Sequence, residues 1–284
     1  MIAHARADRC DLYQIGEVSR MGCISQRTLR HYDELGLMRP DVVRDNGYRY
    51  YSLNTMLKIP VINYLKMLGF SLDEITHMLQ RSSLTEVRRN LAEHLSSCDE
   101  EARLIAEKRQ AIVEWAELVD EANMVLRVKP KTVSVRYLAS RELLCMESTF
   151  SGGFADSVVS LDYAAFVREA DNAICGPVIL QFETVEDAKA AAGGHACPVR
   201  LLQKAMRPVA EDEAYVMPEG MYLSTYHVGA FEEMDEALDR LLAFAHENGY
   251  KICGPVTERF VTDFWTTYNS ELFVTELLLR TETE

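Results

Sequence analysis

The sequence predicts a multi-domain chain of α plus α+β class. It combines a winged helix-turn-helix, a long dimerising coiled-coil helix and a duplicated strand-helix-strand-strand α+β domain. Three observations predict this. A helix-turn-helix pattern in residues 13–79 contains Asn46-Gly47-Tyr48-Arg49-Tyr50-Tyr51, the tip and return strand of a basic, aromatic hairpin. An apolar or small residue recurs at every seventh position from Leu84 to Leu126, with no Gly or Pro between them. Ile174-Cys175-Gly176-Pro177-Val178 returns as Ile252-Cys253-Gly254-Pro255-Val256. The expected domains are 1–81, 82–130 and 131–284.

The first segment opens with a helix from about Ile15, carrying Ile15, Val18 and Met21 at helical spacing. Gly22 makes the turn. Ser25 caps a second helix with Arg27, Thr28, Arg30, His31 and Tyr32, which Gly36 ends. Both residues of Asn46-Gly47 tolerate the positive φ of a type I′ turn. A recognition helix followed by a wing is a device for gripping duplex DNA. Arg27, Thr28, Arg30 and His31 lie where side chains reach base edges or phosphates, and Arg44, Tyr48, Arg49 and Tyr50 flank the wing turn. Tyr32 is a further candidate, although Tyr32 and Tyr51 serve equally well as core residues. Residues 54–68 read as a helix ending at Gly69, with a bend expected at Pro60. Ser71-Leu72-Asp73-Glu74 is a capping box opening a short helix with Ile75, Met78 and Leu79 inward.

The second segment carries Leu84, Leu91, Cys98, Ile105, Ile112, Val119 and Leu126 at intervals of seven, with Trp115 among the intermediate positions. A helix of that length cannot bury its stripe alone. It either pairs with a second copy across residues 84–126 or packs on its own C-terminal domain, and a two-fold reader of palindromic DNA favours the pair. Pro130 ends it.

Charge divides unevenly. The chain has a net charge of −14, yet residues 1–81 hold 11 Lys and Arg against 9 Asp and Glu, while residues 131–284 hold 12 against 25. One module is suited to phosphate, and the acidity of the other either suits something else, a cation included, or merely keeps that domain soluble. No apolar run approaches the length needed to span a bilayer, and the first residues lack an apolar signal core. The 7 cysteines are scattered without a C-x-x-C pair, and His195-Ala196-Cys197 is too small a set for a metal site. The expectation is a reduced, cytoplasmic protein with no cofactor, no metal and no membrane partner.

In the third segment each copy of the five-residue repeat follows an amphipathic helix (about 160–172 and 232–248), and each helix follows a strand (142–149 and 221–228). Aligning the copies puts Val178, Leu180 and Phe182 against Val256, Glu258 and Phe260. Alternate strand residues share a face, so Glu258 stands on an apolar face where its sister copy has leucine. A carboxylate there needs a bound cation, an internal Arg or Lys, or a proton.

Residues 13–79, with YQIGEVSRMG, RTLRHYDELGLMRP, NGYRYYS and LGFSLDEI, resemble the MerR family of transcriptional regulators. The resemblance implies a winged helix-turn-helix homodimer on double-stranded promoter DNA. It also implies activation with RNA polymerase at the promoter, by kinking and untwisting the DNA. Residues 131–284 resemble the GyrI-like effector-binding domain of multidrug-sensing members. That implies a small lipophilic, cationic effector held by Glu258 beneath aromatic rings, with Tyr226 (or Tyr222), Trp265, Tyr268 and Phe273 as the candidates. Some GyrI-like proteins are hydrolases, so Glu258 as a water-activating base is the alternative, and a ligand-indifferent DNA-binding protein is a third.

Overall fold

A computed structural model describes residues 12–81 and 83–283. Cys10 and the other first residues on which the signal-peptide expectation fell lie outside them. The chain forms two compact units that meet at Arg103 and Leu104, inside one long helix.

Unit 1 runs through β1 (Leu12–Gln14), α1 (Ile15–Met21), α2 (Gln26–Glu34), β2 (Val42–Val43), β3 (Arg49–Ser52), α3 (Leu53–Met56), α4 (Lys58–Met67) and α5 (Leu72–Arg81). It closes on the start of α6 (Leu84–Val128). Ser25 Oγ accepts from the Thr28 backbone at 3.0 Å, the cap expected for α2 and worth about 1 kcal/mol. The strands form a sheet in the order β1-β3-β2. Val18, Leu29, Leu37, Ile62 and Ile75 are buried together with Tyr32 and Tyr51 in one core.

The wing turn is not type I′. Asn46 stays at negative φ and only Gly47 crosses to +78°. Gly47 N donates to Arg44 O at 2.8 Å and Arg44 N to Tyr48 O at 3.0 Å. This is a three-residue hairpin loop in which one left-handed glycine completes the reversal. The 54–68 helix is likewise two pieces: the chain breaks at Leu57, so Pro60 falls in the first turn of α4, where its missing N–H costs nothing. The Ser71 capping box forms, with Ser71 N to Glu74 Oε2 at 2.8 Å and Glu74 N to Ser71 Oγ at 3.3 Å. Ser83 and Glu86 repeat that device at the start of α6. Ile75 points inward as expected, whereas Leu79 is exposed.

Unit 2 takes in the rest of α6 and then β4 (Ser134–Leu138), β5 (Arg141–Phe150), α7 (Phe154–Val158), α8 (Leu161–Glu169), β6 (Ile174–Phe182), α9 (Val185–Ala192), β7 (Cys197–Ala205) and β8 (Ala214–Met217). It continues through β9 (Gly220–Val228), α10 (Asp235–Glu247), β10 (Tyr250–Thr262) and β11 (Val274–Thr283). All eight strands join one antiparallel sheet in the order β4-β9-β11-β10-β6-β7-β5-β8. The order is palindromic about the β10–β6 pair: β5-α8-β6-β7 and β9-α10-β10-β11 are two copies of one unit. The seam is in register, with Val256, Glu258 and Phe260 opposite Phe182, Leu180 and Val178. The repeated Cys-Gly-Pro explains itself here. Gly176 and Gly254 take φ of +73° and +135°, and each lies in a register shift against the next strand. A bulge suits glycine, and it suits a proline that has no N–H to pair.

One face of the sheet carries Val178, Leu180, Phe182, Val256 and Phe260 into the main core beneath Leu238 and Leu241 of α10. The other face packs Val261 and Val274 against Ala122 and Val125 of α6. The long helix therefore has two stripes with different fates. Ala122 and Val125 are buried on the helix's own sheet, while Leu84, Leu91, Ile105, Ile112 and Val119 are exposed. Cys98, on the second stripe, is exposed too. Packing on its own domain uses a neighbouring face, which the seven-residue repeat reaches at Leu126.

Candidate functional site

A cavity of about 250 Å³ opens in unit 2 around the end of β10. Its lining comes from α6 (Trp115, Leu118), α7 and α8 (Val158, Tyr163), β6 (Cys175, Val178) and the chain from Phe260 to Thr266. Both copies of the repeat contribute. Asp263 directly follows β10 and is 5% exposed. Its Oδ1 accepts from the Trp265 backbone at 2.9 Å, and its carbonyl accepts from the backbones of Thr266 and Thr267 at 2.9 Å each. That turn throws Trp265 and Thr266 up to the cavity. Trp265 Nε1 donates to Val158 O and Trp115 Nε1 donates to Thr266 Oγ1, both at 3.2 Å. Two indoles are thus latched beside the opening, each half exposed. Burial pushes the Asp263 carboxyl up to about 6, against the hydrogen bond from Trp265.

Glu258 is 2% exposed, but it does not line the cavity. It stands between Leu180 and Leu277 in the sheet. Its same-strand neighbour Phe260 and the facing Val178 form part of the cavity floor, so the carboxyl sits one strand step behind that floor. Oε2 is enclosed without a hydrogen-bond partner among the described residues. Burial, with a smaller contribution from the Asp235 charge, pushes its pKa up to about 8. Of the three compensators considered from sequence, a proton fits this environment at neutral pH, and no internal Arg or Lys reaches it among the described residues.

The candidate rings scatter. Trp265 lines the cavity. Phe273 is in the core, stacked on Phe231 at 4.5 Å. Tyr268 is 90% exposed at the edge of Phe264. Tyr222 lies buried in a separate cluster and donates to Pro218 O at 2.7 Å. Tyr226 points to the α6 side of the sheet and donates to Glu121 Oε1 at 2.7 Å. It belongs to a buried ion network: Glu276, fully buried, meets Arg136 and accepts from Arg259 Nε at 2.6 Å, and Arg259 also holds Glu121. Farther along α6, Glu114 pairs with Lys204 and Glu107 with Arg207, so three carboxylates seven residues apart bind basic partners on unit 2's sheet side. Sequence reasoning missed Asp263, the cavity role of Trp115 and this network. A Glu every seventh residue at 107, 114 and 121 was the available signal for the network.

In unit 1, Arg27, Arg30 and His31 are exposed along α2, and Thr28 is half-buried with Oγ1 at 2.7 Å from Ser25 Oγ. Arg44 and Tyr48 are exposed at the wing. Arg44 lies over the Tyr50 ring at 4.5 Å, and Tyr50 OH accepts from Gln14 Nε2 at 3.1 Å. Arg49 is tied to α2, its Nε donating to Asp33 Oδ2 at 2.9 Å. Tyr32 is 1% exposed and its hydroxyl has no partner among the described residues, which makes it a core residue rather than a phosphate contact.

Comparison with known proteins matches residues 13–82 to the MerR HTH family of regulatory proteins and residues 185–282 to the GyrI-like small molecule binding domain. The chain joins a MerR helix-turn-helix domain to a GyrI-like domain. The multidrug-efflux transporter 2 regulator of Bacillus subtilis (strain 168) is 25% identical over 262 residues, covering 88% of this chain and 89% of its own. The multidrug-efflux transporter 1 regulator of the same organism is 22% identical, over 94% of this chain and 97% of its own. A cryo-EM structure of an EcmrR–DNA complex in EcmrR-RPo is 18% identical, with a TM-score of 0.47, and covers 96% of this chain and all of its own. Among the described residues no helix is long and apolar enough to cross a membrane, and no cluster of three His, Cys, Asp or Glu is placed to hold a metal.

Proposed function

We propose that this chain is a homodimeric, DNA-binding transcriptional regulator that responds to a small lipophilic molecule taken into the cavity of unit 2. One observation carries the reading. A helix-turn-helix unit with an exposed basic recognition helix shares its chain with a unit whose aromatic-walled cavity is lined by that chain's own long helix. Arg27, Arg30 and His31 read or grip the duplex from α2, and Arg44 and Tyr48 grip it from the wing. The exposed stripe at Leu84, Leu91, Ile105, Ile112 and Val119 pairs two copies, so the site read is two-fold symmetric. A positively charged effector is favoured by Asp263, a buried carboxyl on the cavity lining. The effector biases the dimer toward a state that distorts promoter DNA and suits RNA polymerase, and it does so only to the extent that it binds that state more tightly.

Selection of duplexes from a random pool by the full chain, followed by footprinting, tests the DNA half of this reading. A palindromic sequence protected on both half-sites supports it. Binding with no selected sequence, or protection of a single half-site, contradicts it.

A further inference from the structure

We propose a second ligand site in unit 2, on the sheet face away from the main core, where Arg141 and Arg280 beside Tyr222 hold a doubly charged oxoanion, a phosphate or a phosphate monoester. None of these three residues lines the cavity of about 250 Å³. The register builds the site. β9 lies between β4 and β11, and Arg136, Tyr222 and Arg280 stand directly across from one another on the three strands. Residues opposite one another share a face. Arg141, at the start of β5, stands opposite Met217, and Met217 packs in one buried cluster with Tyr222. Burial raises the pKa of the Tyr222 phenol, and the charges of Arg280 and Arg141 both pull it back, so both guanidiniums lie near that ring. Arg141 comes from the first copy of the repeat and Arg280 from the second.

Charge on this face does not balance. Arg136 and Arg259 are matched by Glu276 and Glu121, whereas Arg141 and Arg280 pair with no carboxylate among the described residues. Glu219 is engaged by the Tyr137 hydroxyl at 2.8 Å, and Glu282 is exposed beside the Cys253 thiol. Arg141 donates from Nε and Nη2 to Met217 Sδ at 3.4 and 3.3 Å, and a thioether is a weak acceptor. Arg280 Nε is enclosed without a partner among the described residues, as is Arg136 Nε. Gly220, at φ of +149°, lies so close that a Cβ there would come within 3.1 Å of Arg280 Nε. Enclosing an uncompensated guanidinium is costly, and this happens in a segment, 131–284, with 25 acidic side chains to 12 basic. An anion removes the cost. Two surplus positive charges call for two negative ones, and a guanidinium fork matches paired phosphate oxygens. A phosphate monoester carries close to two charges at neutral pH.

Inorganic phosphate and glucose 6-phosphate are the probes, at an ionic strength held constant with sodium chloride. Isothermal titration of full-length wild type, Arg141→Gln, Arg280→Gln and Arg27→Ala reads the site without DNA. Arg27 reports phosphate bound instead on the recognition helix. Thermal unfolding shows which variants are folded, and the exposed Arg141 carries the test should Arg280→Gln not fold. Saturable binding is expected in wild type, weakened about tenfold in Arg141→Gln and in Arg280→Gln and within about twofold of wild type in Arg27→Ala. Tighter binding of the ester or of the free ion supports the site and says which of the two it prefers. Wild type that binds neither probe overturns the proposal. So does affinity unchanged in Arg141→Gln, or a loss in Arg27→Ala as large as in Arg141→Gln.

Discussion

Glu258 occupies the place that Leu180 holds in the sister copy, and the difference between them is a measurable quantity. The carboxyl sits among Leu180, Leu277 and Phe260 without a partner for Oε2, and burial raises its pKa from 4.5 to about 8. The folded chain therefore holds this proton more tightly than the unfolded chain. Its contribution to stability falls as pH rises from about 4.5 to 8 and is flat above that. Asp235 is the other charge acting on it. Glu258→Leu restores the sister-copy residue and is expected to stabilise the chain at pH 9 by on the order of 2 kcal/mol, with little effect at pH 4.5. Urea unfolding at the two pH values measures this, and equal stabilisation at both would contradict it. Residue burial was legible here, because parity along a strand follows from the alignment of the copies. The partners of Tyr226 were not. Its face depends on the register of β9 against β11, which opposes it to Glu276, and no single-strand pattern encodes cross-strand register.

The same scale separates the arginines of unit 1. Arg27 is exposed on α2, whereas Arg49 is already engaged by Asp33. Arg27→Ala is expected to flatten the slope of log K against log salt by about one contact. Arg49→Ala is expected to lower the thermal midpoint as well, since it frees β3 from α2. A salt slope unchanged in Arg27→Ala would take that residue off the phosphate-contact list.

At the scale of elements, helices with strong caps and repeats with identical residues were readable before any coordinates. Ser25, Ser71 and the Cys-Gly-Pro pair each carry a local instruction that tertiary packing did not override. The wing loop was misjudged because Asn-Gly accommodates both a two-residue and a three-residue hairpin. Here Asp45 joins the loop, and a single positive φ suffices. The long helix was read as a choice between partners, yet packing on its own sheet takes up only part of its circumference. Ala122 and Val125 face the sheet, and Ile105 and Ile112 remain uncovered. Replacing both Ile105 and Ile112 with lysine is therefore expected to give a folded monomer in sedimentation, with unit 2's packing intact. Intact dimers in that variant would place the dimer interface elsewhere. The cavity was the least legible element, because it draws on α6, α7, α8, β6 and the turn after β10, and no one stretch of sequence contains it.

Over the whole molecule, charge and function divide along the chain. Residues 1–81 carry a slight positive excess, and residues 131–284 carry 25 acidic against 12 basic side chains. The basic end lowers the barrier to meeting phosphate, while the acidic end repels polyanions and attracts cations. A single helix, α6, begins in the DNA-binding unit, lends Trp115 and Leu118 to the cavity of the other, and leaves a stripe free for a second copy. In the proposed mechanism, filling the cavity changes what the DNA-bound dimer does. The most direct measurement is run-off transcription by bacterial RNA polymerase from a promoter containing the duplex selected by the full chain, with and without saturating phenyltrimethylammonium. Transcript output is expected to rise severalfold with the cation. Unchanged output with the cavity demonstrably occupied would contradict it.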